Sequence, residues 1–87
     1  MSNATLLFRE TLASIPQDVT KQVDWSFAIA DKIAARLKEL DISPSQFARL
    51  VGETQSEISR WLSGTYNFSI GTLAKISAAL GQNLIKI

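Results

Sequence analysis

Two short segments of this chain carry the same helix-starting signature, and a glycine stands between them. Ser43-Pro44-Ser45-Gln46 places a hydroxyl cap, a proline in the first helical position and a glutamine three residues after the cap. Ile42 and Phe47 flank it at the spacing of a hydrophobic staple. Thr54-Gln55-Ser56-Glu57 repeats the capping box. The first signature opens a helix through Phe47, Ala48, Leu50 and Val51, and Gly52 supplies the left-handed residue just past its end. The second opens a helix through Ile58, Trp61 and Leu62 that stops at Gly64. Two short helices joined by about three residues cross steeply, which commits the centre of the chain to a tight helical corner.

The flanking segments read as helix too. Leu6 to Ser14 is weakly amphipathic through Leu7, Phe8 and Leu12, and Ile15-Pro16 interrupts it, predicting a short first helix. From Pro16 onward Val19, Val23, Phe27, Ala30, Ile33 or Ala34, Leu37 and Leu40 recur every three or four residues. That spacing predicts one amphipathic helix of up to ~25 residues, with a break near Asp24 as the alternative. Ser69 caps a last element, Ile70 to Leu80, expected to bury Leu73, Ile76, Ala79 and Leu80 and to end at Gly81. Asn83-Leu84-Ile85-Lys86-Ile87 is strand-like, and a lone strand needs a partner, here a second copy or another protein. The expected architecture is all-α: a compact helical bundle with a helical extension (1–22), a central domain (23–81) and a short C-terminal strand (82–87).

Composition removes most chemistry. With no Cys and no His in 87 residues, there is no disulfide, no Cys/His metal site, no thiol nucleophile and no imidazole acid or base. No convergent carboxylate pair or phosphate loop replaces them, so neither an enzyme nor a cofactor is expected. No apolar run approaches the ~18 to 20 residues of a membrane-spanning helix, and the start has no charged leader; the reading is a cytoplasmic protein.

The pattern Gln46-Phe47-Ala48-x-x-Val51-Gly52-x-Thr54-x-x-x-Ile58-Ser59-x-Trp61-x-x-Gly64 resembles the helix-turn-helix of phage repressors and Cro, the XRE family, over roughly Ile33 to Gly81. The resemblance implies that the second helix lies in a DNA major groove. Gln55, Ser56, Ser59 and Arg60 point outward from its start and are the candidate base readers. Gln suits adenine, Arg suits guanine and Ser suits several acceptors or donors. Ser43, Ser45, Arg49, Thr54, Thr65, Tyr66 and Asn67 are the candidate backbone contacts, which position without specifying sequence. Glu57 is expected to complete its capping box. Many relatives carry at the position of Pro44 a Gln that grips a phosphate and braces the recognition helix; here Ser45 or Gln46 would stand in for it.

The resemblance also implies partners. Nine basic against eight acidic residues leave a net charge of +1, too little for strong non-specific DNA binding. A homodimer on a palindromic operator would double the contacts, with recognition helices about 34 Å apart. Leu84 to Ile87 and the helix bearing Leu7, Phe8 and Leu12 are the candidate dimer surfaces. The alternative function is an antitoxin of the HigA type, which binds an RNase toxin and represses its own operon; residues 1–22 are the feature that raises it.

Overall fold

The structure is a computed structural model and describes residues 15–87, so the expected helix from Leu6 to Ser14 lies outside the described residues. Four helices follow one another: α1 (Gln17–Leu40), α2 (Pro44–Val51), α3 (Gln55–Leu62) and α4 (Ile70–Leu80). α2 packs on α3 and α4, and α1 packs on α3.

Each start is written in its cap. Ser43 Oγ accepts from the Gln46 amide at 3.1 Å while the Gln46 side chain accepts from the Ser43 amide at 2.7 Å, closing the box. Thr54 and Ser69 accept from the backbone amides of Glu57 and Thr72, each at 3.1 Å. The ends are equally local. Gly52 takes φ +74°, and the Glu53 amide behind it returns to the Ala48 carbonyl at 2.9 Å. Helix α1 has no glycine stop; Asp41 adopts the left-handed conformation instead, at φ +54°.

Helix α1 is continuous through Asp24, so of the two readings the single long helix holds and the alternative break does not occur. Its apolar face is only half used. Ala30, Ile33 and Leu37 are buried, but Val19, Val23 and Phe27 are exposed, because the bundle underlies only the C-terminal half of the helix; Leu40, at the helix end, is exposed as well. The core joins Ile33 and Leu37 to Phe47, Ala48 and Val51 of α2, Ile58 and Trp61 of α3, and Leu73, Ile76 and Leu80 of α4. Each fully buried large side chain contributes roughly 1.5 to 3 kcal/mol. Phe47 and Trp61 meet edge to face at 6.0 Å between centroids, clamping the α2–α3 corner.

The C-terminal strand is not formed. Residues 82–87 run as bends and irregular chain, and Leu84 enters the core at 1% exposure. Its backbone is satisfied by side chains, not by a partner strand: its amide donates to Ser77 Oγ and its carbonyl accepts from Lys32 Nζ, both at 3.2 Å. An apolar side chain that fills the gap between α1 and α4 gains more than an unpaired edge would. Leu84 is therefore spoken for within one chain and is not free to form a dimer surface. Ile85 is half-buried, and Lys86 and Ile87 are exposed.

Candidate nucleic-acid interface

The turn of the motif, Gly52 to Thr54, holds α3 against α2 while leaving its outer face bare. Ile58 and Trp61 point inward, and the helical period turns Gln55, Ser56, Ser59 and Arg60 to solvent. All four candidate base readers are exposed on that one helix.

They fall into two groups. At the N-terminal ends of the motif helices, Gln55 Nε2 donates to Ser45 Oγ at 2.9 Å, joining α3 to α2 beside the cap residues Ser43 and Thr54. Gln46 is fully engaged in its own capping box, so of the two residues expected to replace the bracing Gln, Ser45 is the one that bridges the helices.

At the other end, Arg60 lies over the Tyr66 ring, 5.5 Å from its centroid, and pairs with Glu57 at 3.3 Å. Arg60, Thr65, Tyr66 and Asn67 line one recess together with Ser63. The ring of Tyr66 is itself propped edge-on between Trp61 and Phe68, at 6.4 and 4.9 Å. The Tyr66 carbonyl is held by Ser26 Oγ at 2.8 Å, which ties this loop to α1. Arg49, in the last turn of α2, is exposed and belongs to neither group.

Glu57 departs from the sequence expectation. Its carboxylate does not complete the capping box: Oε1 accepts from the Trp61 indole N–H at 3.1 Å, and Oε2 pairs with Arg60. A buried indole must place its N–H somewhere, and a carboxylate one helical turn back is within reach. Ser63 is the residue sequence reasoning missed. Its hydroxyl donates to the Arg60 carbonyl at 2.7 Å and lies 2.9 Å from the Thr65 hydroxyl, so it shapes the recess floor. A serine just past a helix end is its only sequence signal.

The electrostatics are muted. Glu57 offsets Arg60, and Lys75 is paired with Glu53 at 2.6 Å. Arg49 is the one basic residue of the motif that enters no ion pair among the described residues.

What the arrangement presents is a short, convex, rigidly capped helix with amide, hydroxyl and guanidinium groups on its free face. Such a helix fits a major groove. No helix among the described residues is long and apolar enough to cross a membrane. No curated protein and no solved structure compared with the chain gives a significant match. A family model described as helix-turn-helix matches residues 33–87, a span that takes in all of α2, α3 and α4 and the buried Leu84. The chain belongs to the XRE-type helix-turn-helix family of DNA-binding proteins.

Proposed function

We propose that this transcription regulator recognises a palindromic operator as a homodimer, without enzymatic activity. Gln55, Ser56, Ser59 and Arg60 read base edges, while Ser43, Ser45, Arg49, Thr54, Thr65, Tyr66 and Asn67 contact the DNA backbone. The observation that carries this reading is the exposure of all four readers on the free face of α3, with Gln55 and Arg60 each held by a second residue. Pre-set side chains lose less freedom on binding, which favours reading over loose attraction. Selection of bound fragments from random DNA tests it: a two-fold symmetric site is expected, and no enrichment would overturn the reading.

A second reading as an antitoxin is favoured by one observation, the unbroken exposure of α1 from Gln17 to Trp25, upstream of the family match that begins at residue 33. There a protein partner would dock, and the chain would then repress the operon encoding both. A neighbouring gene for a small RNase whose product co-purifies with this chain is the test.

A further inference from the structure

Every residue from Ile15 to Trp25 is exposed, although Gln17 to Trp25 is helical. An unpacked helical stretch of this length is marginal in water, and this one displays Trp25, which is 65% exposed. The overhang calls for cover.

The helical spacing sets a register along it. Asp18, Gln22, Trp25, Ile29 and Lys32 follow one another at intervals of four, three, four and three, which is the period of a coiled-coil seam. All five line one groove, whose far bank is Ile70, Leu73 and Ile85. The seam has an acid at one end, an indole at its middle and an ammonium at the other. Asp18 and Lys32 stand fourteen residues apart, or ~21 Å along the axis, with Trp25 seven from each. A copy of the same seam laid antiparallel about an axis through Trp25 sets Trp25 against Trp25 and each Asp18 against the other copy's Lys32. A parallel copy sets like charges together. Lys86 lines the groove as a further cation, and Lys32, which donates to the Leu84 carbonyl at 3.2 Å, keeps two N–H groups for an incoming carboxylate.

We infer that two copies of this chain pair through α1, antiparallel and two-fold symmetric about Trp25, with the Asp18 and Lys32 ends fixing the direction. This rests on the homodimer reading above and names its surface. The contact is isologous and therefore closes at two chains. Of the candidate DNA-contacting residues only Asn67 reaches the groove, so pairing leaves α3 free.

The test is the mass of the full chain by sedimentation across a dilution series, without DNA. Two chains are expected, and Trp25→Glu should give one chain with unchanged helical content. Asp18→Lys and Lys32→Asp should each weaken pairing, and mixing the two should restore it, because both cross pairs are then again opposite in charge. As the chain has no cysteine, Trp25→Cys should cross-link to itself on oxidation while Glu39→Cys should not. A single-chain mass for the unaltered protein, a mixture that stays weak while both variants are folded, or cross-linking at residue 39 but not at 25 would each overturn the inference. The first would leave the face to residues 1–14 or to a different protein. None of these readouts involves DNA, so they fail or succeed separately from the operator reading.

Discussion

Gln55 and Ser45 stand at the starts of consecutive helices and share a 2.9 Å hydrogen bond, amide to hydroxyl, across the turn of the motif. The bond holds the amide proposed to read a base from the helix behind it. Ser45→Ala should leave the fold intact and weaken operator binding ~2- to 12-fold, the worth of one hydrogen bond. Titration of a labelled operator checks this; an affinity equal to that of the unaltered protein would show that the bond does not persist on DNA.

Gln55→Ala and Arg60→Ala should each cost ~1 to 3 kcal/mol at the preferred operator and relax selectivity at one base position. The double variant should show no mobility shift while its helical content by circular dichroism is unchanged. Undiminished binding would remove these residues from the interface.

Glu57→Gln keeps an acceptor for the Trp61 indole and removes the charge that holds Arg60. The pair is largely solvent-exposed on its Arg60 side, so the effect is modest. Non-specific affinity should rise ~1.5- to 5-fold, while the preference at the base assigned to Arg60 in the proposed interface declines. For the unaltered protein the salt dependence of non-specific binding should be shallow, since few phosphates meet an unpaired cation.

Gly64 sits at φ +86°, and a Cβ there would run into Cδ1 and Cε1 of the Phe27 ring. Gly64→Ala should lower the melting temperature by more than ~5 °C, from left-handed strain of ~1 to 2 kcal/mol plus displacement of Phe27. Asp41 is the converse case, a left-handed position without glycine. Asp41→Gly should stabilise by ~0.5 to 1 kcal/mol, raising the melting temperature by a few degrees.

The helical corner was legible because its signals are local. The Ser43, Thr54 and Ser69 caps and the Gly52 joint sit within a few residues of the boundaries they set, and α4 begins and ends as the spacing predicts. What was not legible depends on partners distant in sequence. Periodicity placed Val19, Val23 and Phe27 on an apolar face, but period alone does not say whether anything lies beneath it. The tail read as strand because Leu84, Ile85 and Ile87 are apolar and the two isoleucines β-branched. The backbone of Leu84 is held in place by Lys32 and Ser77, 52 and 7 residues away on α1 and α4. For the site, the exposure of the four candidate readers followed from the helical period, whereas the Ser45 and Tyr66 supports are contacts between elements. Glu57 misled because two donors, the Thr54 backbone N–H and the Trp61 indole N–H, competed for one carboxylate, and the buried indole won.

Leu84 gives the fold an order of assembly. The DNA-reading corner is synthesised well before the residue that closes the core over it, so the nascent α2 and α3 emerge with Phe47, Ile58 and Trp61 incompletely covered. Until residue 84 leaves the ribosome the core lacks one of its buried side chains, and the helices of the corner complete their packing only then.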